Sequence, residues 1–166
     1  MRELVPDLVV SLSVTTRRPR PEERPGVDYV FVDEAEFDRM VEAGELLEWA
    51  ENFDSRYGTP ADPIRRVLAD GRDALLEIDV QGARQVRKSV PEAVLIFLEP
   101  PSLAELERRL RSRGSEDEAR LARRLAKAQD EIRAREWFDH VVVNDDLERA
   151  SSQVAAIIGA SRSPVA

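Results

Sequence analysis

Three short clusters in this chain of 166 residues carry side chains able to do chemistry. The first, Ser13-Val14-Thr15-Thr16-Arg17-Arg18-Pro19-Arg20, sets Arg17 and Arg20 on a loop stiffened by Pro19 and Pro21. Stiffness lowers the entropic cost of holding two guanidiniums together, so the pair could fork onto phosphate oxygens. Taken alone, a solvated basic loop accounts for that segment better. The second, Ile78-Asp79-Val80-Gln81-Gly82, ends an apolar run in a carboxylate, where α/β sheets place ligands. Asp79 there could orient magnesium or its water shell, and it could equally cap the next helix. The third is Leu47-Glu48-Trp49-Ala50 followed by Tyr57-Gly58-Thr59. A buried Glu48 could accept two parallel hydrogen bonds from the ring N–H and amino group of a guanine. Adenine lacks that donor pair and would leave the carboxylate unpaired. Tyr29 and Tyr57 can donate to phosphate. Without context, a glutamate beside a tryptophan is usually a partly covered surface pair.

The elements that must hold these residues are legible in the pattern. Leu8 to Val14 is apolar and β-branched and reads as a strand, and Asp28 to Val32 as a short aromatic one. Asp33 to Glu36 forms a capping box, with Phe37, Met40 and Val41 on one helical face before Gly44. A second helix runs through Ile64, Val67 and Leu68 to Gly71. Asp73 to Asp79 is a mostly apolar strand, and Ala93 to Leu98 a fully apolar one of the kind that a parallel sheet buries on both faces. Ser102 to Glu105 is another capping box, with Leu103, Leu106 and Leu110 lining its helix. From Glu116 to Glu136 the chain is helical and highly charged, with a thin stripe of Leu121, Leu125, Ala128 and Ile132 that suggests a helix moving over solvent. Val141 to Val143 is a last strand, and Asp146 opens a helix with Leu147, Val154, Ile157 and Ile158 inward. Beyond Gly159 no pattern remains. Strands alternating with helices predict an α/β fold with a mainly parallel sheet.

Composition narrows the functions. Hydrophobic residues make up 42% of the chain, enough for one sizeable core. Acidic residues outnumber basic ones by 33 to 25, so general binding to nucleic acid or an anionic membrane surface is not expected. There is no cysteine and one histidine, His140, so no thiolate or histidine-rich metal site is expected. No apolar run approaches membrane-spanning length and Met1-Arg2-Glu3 does not open a signal peptide, which predicts a soluble, cytoplasmic protein.

In their order and spacing the blocks SVTTRRPRPEERPGVDYVFV, ELLEWAENFDSRYGT, LLEIDVQGARQV, IFLEPPSLAELERRLRSRGSEDE and VVVNDDL resemble the guanylate kinase family over nearly the whole chain. The resemblance implies a P-loop nucleoside monophosphate kinase-like fold: one domain over 1–166, a parallel sheet with helices on both faces, a GMP-binding subdomain over about 12–62 and a helical lid over about 104–134. It implies transfer of a phosphoryl group from ATP to GMP, giving ADP and GDP, with Mg2+ accompanying the ATP. Arg17, Arg20, Tyr29 and Tyr57 match the binders of the GMP phosphate, and Ser13, Glu48, Thr59 and Asp79 the guanine-recognition set. Asp79 also matches a position near the transferring phosphate. Arg109, Arg113 and Arg124 match lid arginines that close over ATP, and Asn144 an asparagine near the adenine; many arginines on such a helix only solvate it.

The departure is a motif. The family begins with a strand and a loop of the form G-x-x-x-x-G-K-[ST], and no such motif occurs in these residues. Met1 to Asp7 resembles the end of the helix after that loop, so a truncated or wrongly started kinase is expected, with little turnover. The absent strand would lie between those at Asp79 and Ala93 to Leu98, leaving unpaired backbone groups and an unstable chain. The alternative is a non-catalytic module of this kind that binds GMP or a phosphopeptide. Oligomeric state is not readable from the sequence.

Overall fold

Side-chain caps at Asp33, Asp79, Ser102 and Asp146 open helices in this computed structural model; residues 1, 3–112 and 118–162 are described, without the side chain of residue 120. They fall into two units, residues 6–93, and residues 94–162 with 1 and 3–5.

In the first unit, strands β1 (Val9–Val10) and β6 (Ala74–Leu75) pair in parallel, Val9 opposite Ala74. A four-stranded mixed sheet follows, with the order β3 (Val30–Phe31), β2 (Val14–Thr15), β5 (Arg56–Pro60), β4 (Leu46–Glu51). Here β2 runs parallel to β3 and antiparallel to β5, which pairs antiparallel with β4. The β4–β5 hairpin is absent from the expectations above. Its turn carries no glycine: Phe53 and Asp54 both take positive φ, 49° and 67°, the left-handed pair that a tight hairpin turn demands. Asn52 N donates to Ser55 O at 2.8 Å and Ser55 N returns to Asn52 O at 3.3 Å.

Helix α1 (Glu34–Glu42) starts where the Asp33 carboxylate accepts from Glu36 N at 2.8 Å, as the capping pattern predicts. Only half of the box forms, because the Glu36 side chain turns to Arg39 instead. Gly44 takes φ 64° just past the helix end. Phe37 and Met40 are buried with Val14, and Val30, Val32, Val41 and Leu46 pack around them. Arg56 ties β5 to α1 through Asp38 at 2.6 Å and Glu34, lying over the Phe37 ring at 4.5 Å. After α2 (Ala61–Ala69), the expected Asp73–Asp79 strand pairs only over β6, and its last residue, Asp79, instead caps α3 (Val80–Ser89).

In the second unit, β7 (Ile96–Glu99) and β8 (His140–Val143) are parallel, with Ile96 opposite His140. Helix α4 (Leu103–Ser112) opens where Ser102 Oγ accepts from Glu105 N at 3.1 Å. Helix α5 (Glu118–Arg133) leads into a 3-10 turn, Ala134–Trp137. Of the thin stripe on α5, Leu121 is buried, while Leu125, Ala128 and Ile132 are half-buried. Helix α6 (Leu147–Ser161) is capped by Asp146 and extends past Gly159, beyond the expected loss of pattern. Val142, Ala150 and Val154 form its core with Met1, Ile96, Ile157 and Ile158. Leu147 does not join them: it is 74% exposed, because as the first helical residue it sits one turn outside the packed stripe.

Candidate functional site

The arginine loop is built around an acid. Arg17 Nη1 and Nη2 donate to the two carboxylate oxygens of Glu23 at 2.9 and 2.8 Å, a bidentate pair. Nη1 also donates to Arg18 O at 2.8 Å, and Nε to the Tyr57 hydroxyl at 3.2 Å. These bonds occupy four of the five guanidinium N–H donors. The guanidinium also lies 5.3 Å from the centre of the Tyr29 ring and 5.8 Å from that of Phe31. Glu23 accepts a third bond from Arg20 N at 2.8 Å, so it fixes the backbone that carries the second arginine. The Arg17 partnership holds the Glu23 carboxyl well below its usual range, at about 2. Burial pushes the Tyr29 phenol up, helped by Tyr57, whose ring lies 6.1 Å away.

The structure thus brings Arg17, Tyr29 and Tyr57 together, and leaves the Arg20 side chain exposed at the rim of the loop. It adds Glu23, which the sequence reading passed over. The available signal was Glu22-Glu23 closely following Arg17, Arg18 and Arg20, where a rigid loop needs a counter-charge.

Alternation along β4 turns Glu48 and Ala50 inward and Trp49 outward. A glutamate in an inward position is the anomaly: Glu48 is only 5% exposed. Its register partner is the fully buried Thr59, whose Oγ1 donates to Glu48 Oε1 at 2.6 Å. Burial pushes the Glu48 carboxyl up, and the nearby Asp79 charge adds to this while Thr59 opposes it. Gly58 admits the close approach of the two strands, since a Cβ there would meet Leu46 Cδ1 at 2.9 Å and Glu48 O at 3.1 Å. Ser13 is half-buried, and its carbonyl accepts from Val30 N at 2.9 Å. Asp79 Oδ1 accepts from Gln81 N and Gly82 N, both at 3.0 Å, so the carboxylate serves as the α3 cap. A buried carboxylate held only by the hydroxyl and backbone N–H of one threonine keeps acceptor capacity for a ligand bearing paired N–H donors.

In the second unit, Arg109 donates from Nε to Glu105 at 2.7 Å and from Nη1 to the Asn144 carbonyl at 2.9 Å. Asn144 N in turn donates to Glu99 O at 2.8 Å, continuing the β7–β8 ladder. Arg109 and Asn144 are therefore brought together. Arg124 is half-buried on α5, and Arg113 lies outside the described residues. Among the described residues no group of three or more His, Cys, Asp or Glu side chains is placed to hold a metal ion. No helix among the described residues is long and apolar enough to cross a membrane.

The family model described as guanylate kinase matches residues 3–161. A guanylate kinase from Thermosynechococcus vestitus is 55% identical over 150 residues, which are 90% of this chain and 78% of the relative. One from Nocardia farcinica is 52% identical over 165 residues, 98% of this chain and 86% of the relative. The crystal structure of guanylate kinase from Anaplasma phagocytophilum superposes with a TM-score of 0.85 at 37% identity, covering 99% of this chain and 81% of that one. Similarity of this extent over nearly every residue decides the question: the chain belongs to the guanylate kinase family.

Proposed function

We propose that the chain binds GMP through residues of its first unit and serves phosphoryl transfer from ATP to GMP, giving ADP and GDP. The observation that carries this reading is the buried Glu48 carboxylate bonded to Thr59, an acceptor set in a strand where an apolar side chain would otherwise sit. Guanine offers that acceptor its ring N–H and 2-amino group side by side. With Ser13 and Asp79 completing the base set, Arg20, Tyr29 and Tyr57 would take the phosphate. Arg17 would contribute its remaining donor or exchange Glu23 for phosphate oxygens. ATP would enter as its magnesium complex and meet Arg109, Arg124 and Asn144, with Arg113 as a further lid arginine. Transfer asks little covalent chemistry of the protein, so positioning and neutralisation of charge by arginines are its contribution. In domain terms, 12–62 forms a GMP-binding subdomain and 104–134 a lid within one 1–166 domain.

The 166 residues contain no G-x-x-x-x-G-K-[ST] motif, which favours a second reading for these residues alone: nucleotide binding with negligible turnover. Calorimetric titration with GMP, inosine monophosphate and AMP, beside a coupled assay of ADP formation, tests both readings. GMP should bind best and turnover should be negligible. AMP binding as tightly as GMP would overturn the substrate reading, and robust ADP formation would overturn the second.

A further inference from the structure

The start of α3 lies against the free edge of β4, and side-chain amides hold it there. β4 ends the sheet, so its outer backbone groups need partners. Gln85 supplies them as a strand would: its Oε1 accepts from Trp49 N at 3.2 Å and its Nε2 donates to Trp49 O at 2.5 Å. One turn earlier, Gln81 Nε2 donates to Glu51 O at 3.4 Å. Between these two clamps sits Gly82, buried in the first turn of the helix, its N–H taken by Asp79.

Gly82 is not there for its backbone, which takes an ordinary helical φ rather than a positive one. Alanine would be the better helix former at this position. What alanine would meet is the Glu48 carboxylate: a Cβ on Gly82 would lie 3.0 Å from Glu48 Cδ, closer still to Oε2, and 3.3 Å from Ile78 Cβ. With α3 held by Gln81 and Gln85, the carboxylate must yield. It is the flexible end of a side chain, but it is buried and bonded to Thr59, so moving it breaks its aim.

We propose that Gly82 is a positioning residue for base selectivity: the missing side chain is the space in which the Glu48 carboxylate is held. This rests on the base-reading role of Glu48 proposed above. A methyl group at 82 turns the carboxylate away and so narrows the preference for a purine that carries a 2-amino group. It does so without touching the phosphate contacts.

The test uses the full chain with Gly82→Ala, titrated with GMP and with inosine monophosphate, alongside thermal unfolding. GMP affinity should fall tenfold or more and inosine monophosphate affinity much less. An unchanged preference, or an equal loss for both nucleotides, overturns the proposal. If Gly82→Ala alone does not fold, the double variant Gly82→Ala, Glu48→Ala should regain cooperative unfolding, and failure to do so overturns it as well. Unfolding also separates this placement from the functional reading. Without ligand, Gly82→Ala should raise Tm in the Glu48→Ala background, as helix propensity dictates, and raise it less or lower it when Glu48 is present. If the unmodified chain shows no preference for GMP, the base-reading role falls. The unfolding comparison then decides the placement by itself, equal Tm changes in both backgrounds overturning it.

Discussion

Glu48→Gln separates recognition of a base from simple burial. The substitution keeps the shape of the side chain. Thr59 Oγ1 donates to Oε1 at 2.6 Å, and a glutamine oxygen can keep that bond, so the amide nitrogen takes the place of Oε2. An N–H2 group then faces a donor of guanine where an anionic acceptor stood. One charge-assisted hydrogen bond is lost and a donor is set against a donor, at a cost of about 1.5–3 kcal/mol. That is about a 10- to 150-fold loss in the preference for GMP over inosine monophosphate, which lacks the 2-amino group. Calorimetric titration of both nucleotides reads this ratio directly. The free protein should respond in the opposite sense. Burial raises the folded-state pKa of Glu48, so the group lowers stability as pH climbs from the ordinary carboxylate range through the raised value. Removing the charge should therefore raise Tm near neutrality and leave it unchanged in acid. In the unmodified chain, GMP affinity should weaken as pH falls through that same raised value, because the protonated acid has one acceptor fewer. Equal losses of GMP and inosine monophosphate would show that Glu48 is a packed side chain and not a reader of the base.

Arg17→Ala and Arg20→Ala should each weaken GMP at least several-fold while leaving guanosine, which has no phosphate, nearly unaffected; parallel losses in a titration of both ligands would make the arginines structural. The Glu23 carboxyl is held at about 2 by Arg17, so its contribution to stability is present above the ordinary carboxylate range and lost as pH falls toward that value. Glu23→Gln should accordingly flatten the acid end of a Tm-against-pH curve, and an acid limb identical to that of the unmodified chain would refute the coupling.

Helix starts were legible in the sequence because capping is local chemistry. Asp33, Ser102 and Asp146 each accept from the backbone N–H three residues on, as a side chain of that length must when it precedes a helical run. The apolar faces carrying Phe37 and Met40, and Val154 with Ile157 and Ile158, followed from a 3.6-residue period for the same reason. The family was legible too, because spacing between motifs survives in the order of residues. The β4–β5 hairpin was not: its turn, Asn52-Phe53-Asp54-Ser55, has no glycine to announce positive φ, and Glu48 interrupts the apolar alternation. Nor could Leu147 be told from its neighbours, since periodicity gives a face but not where the partner surface ends.

At the site, residue types named a guanine-accepting acid and a phosphate-binding loop, yet three decisions belonged to tertiary structure. Glu48 became an anomaly only when β4 turned it inward against Thr59. Arg17 acquired Glu23 as its bidentate partner through the folding of the loop, which no spacing rule predicts. Gly82 gained a role only when Gln81 and Gln85 pinned α3 to the edge of β4, 30 or more residues away in the chain. A linear sequence records which groups are present and how they repeat. Whether a carboxylate is buried, paired or crowded depends on contacts between distant segments, and those exist only once the chain has folded.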